Sequence, residues 1–331
     1  MNVPKEKIAV VLLQLGGPDN LEAIEPFLYN LFCDPDIIDI PGAFLFRKPL
    51  ARFISTRRAP KVQELYKRIG NRSPIYKQTK LQADRLLEML KGKGYDVDVH
   101  IAMRYWNPLT EVVVKNIIAS KPDRIILLPL YPHYCKATTG SSVNEWNRVA
   151  KELTMPNIPT AVVEQYYDHP LYIDAIVKRI RYALDRVPKN NLSKVQIVFS
   201  AHGTPMKLVR DGDPYSHHIR KTYELVVERG QFGLPHTLCF QSKVGPQKWL
   251  TPSLTGTIER LGHEGATHLL VVPIAFVTDH IETLSEINIE ARDEALKLGV
   301  TYYDMMPALL TEELFIQCLT DLVEKKISST Q

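Results

Sequence analysis

Eight short runs rich in leucine and β-branched residues limit what this chain can fold into: 8–14, 97–102, 124–130, 160–164, 195–200, 237–241, 268–273 and 300–304. Several are apolar almost without a break. A strand with one wet face alternates polar and apolar residues. One buried on both faces need not, and burial on both faces is the rule in parallel sheets. Between the runs lie patterns of helical period at 21–32, 60–69, 77–91, 108–119, 141–153, 170–187, 215–230, 251–262 and 281–298. Strands alternating with helices predict an open α/β fold.

The strands divide four and four. Each first strand ends in a Gly-containing turn closing on proline, VVLLQLGGP and VQIVFSAHGTP. Each third strand ends on proline before aromatic and polar residues, RIILLPLYPHY and HLLVVPIAFVTDH. This parallel predicts two similar Rossmann-like domains, each a four-stranded parallel sheet flanked by helices, with a cleft between them. The expected domains are 1–168 and 169–310. A last helix at 311–325, in the segment 311–331, is expected to cross back onto the first domain. Ligands of open parallel sheets sit beyond the carboxyl ends of the strands. The loops expected to carry chemistry are therefore 14–19, 103–108, 131–142, 200–205, 241–249 and 277–282.

Of the 331 residues, 45% are hydrophobic and 24% charged, and the net charge is +4. That is the composition of a globular protein, and the charge is too mild to argue for nucleic acid. No segment approaches the ~20 apolar residues of a membrane span. The N-terminal apolar run, 8–15, ends at Gly-Gly-Pro and reads as a buried first strand rather than a signal peptide. Cys33, Cys135, Cys239 and Cys318 are scattered, without a CxxC pair, which fits a reducing compartment. The expectation is a cytoplasmic protein and, for want of any sign otherwise, a monomer.

The stretch 271–290, VVPIAFVTDHIETLSEINIE, passes from buried strand to helix and offers Asp279, His280, Glu282, Glu286 and Glu290. Carboxylates at i, i+4 steps lie on one helix face and repel one another unless a cation visits. They form a plausible track for a hard or borderline cation. The same residues also read as a capping pair, Asp279 with Glu282, followed by solvated acids. His202, in FSAHGTP, follows a buried strand and is placed to act as a base or a neutral metal ligand; the alternative is a structural histidine. His202 with Glu282 makes a mixed N/O pair suited to Fe²⁺ or Zn²⁺ held loosely, in an open site that passes a metal on.

Gly16-Gly17-Pro18 and the run 138–142, TTGSS, lack the GxGxxG and P-loop patterns that nucleotide binding requires. For the second, helix N-capping is the simpler reading. Arg104, Tyr105, Trp106, Tyr131, Tyr134, Phe240 and Trp249 add cationic and flat surface at strand ends, which suits a planar ligand carrying carboxylates. Residues 38–58, IDIPGAFLFRKPLARFISTRR, interleave large apolar side chains with arginine and lysine. That is the pattern of an amphipathic interfacial segment, read as a lip over the cleft with a peripheral contact to a membrane.

Seven motifs in order resemble the ferrochelatase family: FLYNLFCDPDII, MRYWNPLT, LYPHYCKATTGSS, FSAHGTP, DGDPY, CFQSKVGPQKWLTP and VPIAFVTDHIETLSE. The resemblance covers nearly the whole chain. It implies two α/β domains holding a porphyrin, His202 as the active-site histidine and Glu282 as its carboxylate partner, both also touching the metal. Asp279, Glu286 and Glu290 match an acidic path for protons or metal on a helix with a π-type distortion. Leu15, Arg104, Tyr105, Ser141 and Trp249 match porphyrin-binding positions, and 38–58 matches the lip. The implied reaction is insertion of Fe²⁺ into protoporphyrin IX to give protoheme, with loss of two protons. Coproporphyrin III as substrate, a cobalt chelatase and a tetrapyrrole-binding protein without turnover are the alternatives. Some family members carry a [2Fe–2S] cluster on four cysteines. Here Cys135 lies apparently one place off and Cys318 stands alone, so no cluster or other tightly bound cofactor is expected. The absence of a transit peptide suggests a bacterial chain.

Overall fold

The computed structural model describes residues 5–37, 46–243 and 247–329, and all structural statements concern these. The chain forms two compact units. One is Met1–Gln165 with Ile316–Gln331, and the other is Tyr166–Phe315.

The first unit is built on β1 (Lys7–Gln14), β2 (Asp96–Met103), β3 (Arg124–Pro129) and β4 (Thr160–Val162), in the order β2-β1-β3-β4. The second uses β5 (Val195–His202), β6 (His236–Gln241), β7 (His268–Pro273) and β8 (Tyr302–Met305), in the order β6-β5-β7-β8. Every pairing is parallel. The two orders are the same, and the register matches too. Pro129 pairs with Leu13, and Pro273 pairs with Ser200. Two residues beyond those partners come Leu15, just past the end of β1, and His202, still within β5. His202 is thus the last residue of β5, not the first beyond it.

The near-continuous apolar runs are explained by their burial. Val10, Val11 and Leu12 in β1 and Ile197, Val198 and Phe199 in β5 are wholly buried. Helices cover both sheets: α1 (Ile24–Phe32), α2 (Arg47–Arg68), α3 (Ile75–Gly92), α4 (Thr110–Ser120) and α5 (Ser141–Glu152) in the first unit. The second has α6 (Pro170–Leu184), α7 (Met206–Arg210), α8 (Tyr215–Gly230), α9 (Leu254–His263), a π-helix at Glu282–Ala291 and α10 (Arg292–Lys297). The last helix, α11 (Glu313–Ser328), lies mostly in the first unit. There Lys93 and Tyr95 hold Glu324, at 2.6 and 3.1 Å. Arg124 donates to the terminal carbonyls of Lys326 and Ile327.

Three local readings of the sequence change. The helix expected at 60–69 begins at Arg47 and runs through Pro60. Proline inside a helix costs about 3 kcal/mol. Packing overrides that cost, because Ala51, Ser55 and Ala59 form a buried stripe of small residues and α2 packs on α1. The lip segment is therefore helical from residue 47, while 38–45 lie outside the described residues. Second, the Thr/Ser run does not cap α5. A short π turn, Lys136–Gly140, leads directly into it, and no side chain caps its start. Third, the helix expected at 281–298 is two helices, a π-helix of ten residues followed by six α-helical ones. Among the described residues, no helix is long and apolar enough to cross a membrane.

Candidate functional site

His202 closes β5 where the chain must turn. Gly203 makes the turn possible. A Cβ there would stand 2.8 Å from the carbonyl oxygen of Gln241 and 3.3 Å from the Trp249 ring, so only glycine fits. Tyr215, at the start of α8, donates its hydroxyl to the His202 carbonyl at 3.0 Å. Asp213 in turn accepts from the Tyr215 amide at 3.0 Å. The DGDPY motif therefore anchors the strand end that presents the histidine.

The second half of the site comes from the loop after β7. Glu282, at the first turn of the π-helix, reaches His202 Nε2 with one oxygen at 3.4 Å and His280 Nε2 with the other at 3.2 Å. His280 is buried and its ring leans on Phe276 at 4.6 Å between centroids. His202 and Glu282 remain partly open, with 35% and 23% of their side chains exposed. The Trp249 ring lies 6.4 Å from that of His202.

Glu282, read from sequence either as a capping partner of Asp279 or as a site residue, turns to the histidines, and Thr283 ties the residues before the helix together. Its hydroxyl accepts from the His280 amide and donates to Asp279 at 3.1 Å. Further along, Glu286 accepts a short hydrogen bond from Ser242, and Glu290 accepts from the buried Ser285 at 3.0 Å. Ser285 and Glu290 are five apart, the i→i+5 spacing that defines a π-helix.

The electrostatics follow from these contacts. Burial pulls the His202 pKa down, but the Glu282 carboxylate outweighs it and raises the value to about 9. Burial pushes Glu282 up, and His202 with His280 holds it instead well below the usual carboxylate range. Burial, then repulsion by Glu282, pushes Glu286 up to about 7. At neutral pH the site is thus an imidazolium–carboxylate pair beside an acid that is readily protonated. Such a set can take up protons singly and can receive a cation.

Arg104, Tyr105 and Ser141 gather in the first unit around a residue that sequence reasoning passed over, Asp34. Its buried carboxylate receives Arg104 Nη2 at 3.0 Å and the Tyr105 hydroxyl at 2.5 Å. The Ser141 hydroxyl also donates to it, and Arg104 Nε donates to Ser141 at 2.8 Å. Tyr105 has no exposed surface, and Arg104 has its charge balanced. Burial, then the Asp34 charge, pushes the Tyr105 phenol well up. Leu15 stays half-buried and accepts from the Tyr105 amide at 3.0 Å. The signal for Asp34 was present in the sequence: an acid inside FLYNLFCDPD, between aromatic and apolar residues, needs a partner. Trp249 is half-buried beside His202. Among the described residues, no three His, Cys, Asp or Glu are grouped to hold a metal. His202 and Glu282 together supply two donors.

The ferrochelatase family model matches residues 7–327. The chain is 48% identical over 320 residues to a ferrochelatase of Geobacter metallireducens, covering 97% of this chain and 98% of that one. It is 42% identical over 321 residues to one of Aquifex aeolicus, covering 97% of this chain and all of that one. Among solved structures, SirB from Bacillus subtilis with Fe³⁺ superposes with a TM-score of 0.56 at 14% identity, over 98% of this chain and 97% of that one. At that identity the likeness concerns the fold.

Proposed function

The chain belongs to the ferrochelatase family, and from that premise we propose that it inserts Fe²⁺ into a porphyrin for heme synthesis. The observation that carries the reading is the pair formed by His202, at the end of β5, and Glu282, at the start of the π-helix, 3.4 Å apart and partly open to solvent. A free porphyrin is planar, and two pyrrole N–H groups block its centre. Insertion requires a bent ring, a dehydrated metal and two proton acceptors. Binding the bent ring preferentially lowers the barrier. His202 is the acceptor for pyrrole protons. It works when deprotonated, and at pH 7 a pKa of about 9 leaves on the order of 1% in that form. An approaching Fe²⁺ at Glu282 competes with the imidazolium for the carboxylate and so promotes loss of the His202 proton. Glu286, with a pKa near 7, is suited to pass a proton on, and Glu290 and Asp279 extend the acidic path.

Protoporphyrin IX is the favoured substrate over the more charged coproporphyrin III. The exposed Phe46 and Phe53, on and beside α2, support an apolar surface for it. With Arg47, Lys48, Arg52, Arg57 and Arg58 nearby in sequence they also support a peripheral contact with an anionic membrane. The four cysteines are scattered in sequence without a CxxC pair, and on that ground we infer a protein that works without a bound iron–sulfur cluster.

The test is anaerobic mixing of the protein with Fe²⁺ and each porphyrin in turn, followed by absorbance. Metalloporphyrin bands should form faster with protoporphyrin IX. No bands with either substrate would refute the enzyme reading, and faster conversion of coproporphyrin III would reverse the substrate choice.

A further inference from the structure

The acid row of the second unit stands on a π-helix, a form that is rare and widens the turn to an i→i+5 bond. Something must hold the wide turn in place. The edge strand β8 offers a candidate. Tyr303 is buried there, in register with Leu269 of β7. Its hydroxyl donates to the carbonyl of Ile287, in the middle of the π-helix, at 2.6 Å. The amide five residues beyond Ile287, that of Arg292, donates to the carbonyl of Ile289. The phenol therefore supplies Ile287 with a donor from outside the helix.

The same ring holds the far end of the segment. The Arg292 guanidinium stacks over Tyr303 at 5.5 Å and reaches back to Asn288 at 2.8 Å. Ile287 and Tyr303 share one buried cluster with Ala291 and Ala295. Ile287 and Arg292 thus touch Tyr303 directly, Asn288 is tied to it through Arg292, and Ala291 shares their buried cluster. Glu286 precedes the first of them, and Glu290 lies between the pairs.

We propose that Tyr303 is a positioning residue for metal insertion: its hydroxyl holds the π-helix in register, so that Glu286 and Glu290 stand in line with Glu282 and His202. The proposal rests on the reading of the acid row as part of the reaction site. Tyr303→Phe keeps the ring under Arg292 and removes only the hydroxyl. Tyr303→Leu removes the stacking surface as well.

The experiment compares both variants with the full-length protein in three measurements: insertion kinetics, thermal midpoint and amide hydrogen exchange. For Tyr303→Phe, kcat should fall roughly tenfold with porphyrin KM unchanged, since small misplacements of reacting groups are expensive. Amides 287–292 should exchange faster while β5 and β7 stay protected. Tyr303→Leu should lose more in thermal midpoint than Tyr303→Phe. An unchanged kcat in folded Tyr303→Phe overturns the proposal. So does a kcat loss that merely follows the thermal midpoint across the two variants. If the wild-type protein inserts no metal, the functional reading fails separately. A crystal structure of Tyr303→Phe then decides the positioning role: Glu286 moved away from Ser242 supports it, and an unmoved π-helix overturns it.

Discussion

At the scale of single residues, the role proposed for the His202–Glu282 pair is to couple proton affinity to metal approach. The Glu282 charge raises the His202 pKa to about 9, so insertion should accelerate as pH rises from 7 towards 9. Removing that charge in Glu282→Gln should move the inflection down, towards the ordinary histidine range near 6.5. Initial rates across this interval check the sign, and an inflection that stays near 9 would detach His202 from Glu282. His202→Ala should lose nearly all turnover while the fold survives, because the side chain is partly exposed at a strand end rather than in the core. Asp34 is the opposite case. It is a buried acid with four donors, the side chains of Arg104, Tyr105 and Ser141 and the Asp36 amide, and breaking a buried pair costs about 3–5 kcal/mol. Asp34→Ala should destabilise the first unit by that order in urea unfolding, whereas a surface acid such as Glu88 should give less than about 1 kcal/mol.

At the scale of elements, His202 stands where a strand yields to a turn and Glu282 where a helix begins. Gly203 shows how tight that junction is. Gly203→Ala must push the Gln241 backbone or the Trp249 ring aside. Overpacking of this kind costs about 1–3 kcal/mol. It should also shift Trp249, and a changed tryptophan emission together with a lowered denaturation midpoint would report it. An unchanged protein in both measurements would mean that the β5–β6 junction yields freely. The π-helix is the other element that matters. Sequence spacing placed the acids on one face of an ideal helix, while the observed wide turn links Ser285 to Glu290 across five residues. The row survives, but its register depends on contacts made by β8.

At the scale of the whole molecule, the linkage between stability and pH follows from the same groups. Glu286 has a folded pKa near 7 against 4.5 as a free side chain, so the folded state favours its protonated form. Its stabilising share is complete below pH 4.5 and is lost as pH rises through 7. His202, raised from 6.5 to about 9, contributes fully below 6.5 and loses its share as pH passes 9. Both push stability down on the alkaline side. Thermal midpoints should therefore fall from pH 5 to pH 9, and Glu286→Gln should flatten the lower half of that fall. The C-terminal helix matters at this scale too. Phe315, Ile316, Leu319 and Val323 are buried along it. At roughly 1.5–3 kcal/mol each, their burial rivals the net stability of a typical domain. Truncation after Glu312 should abolish soluble folded protein, as judged by expression and gel filtration.

The strands and their fourfold grouping were readable because burial on both faces forces apolar runs, and that demand acts on neighbouring residues in the chain. His202 was readable for a related reason: a polar residue that closes such a run must stand at a sheet's end, whereas Glu282 was readable from the i, i+4 spacing of its acids and from the family motif around it. Other features depend on partners distant in sequence. Asp34 finds Arg104 and Ser141 about 70 and 107 residues away. The helix through Pro60 exists because small residues meet α1, against the local preference of proline. The π-helix is held by Tyr303 across the sheet edge. Local pattern determined the kind of element and the chemistry it carries. Tertiary contact decided where helices begin, how wide they turn and which charges are balanced, because those energies arise only when distant segments meet.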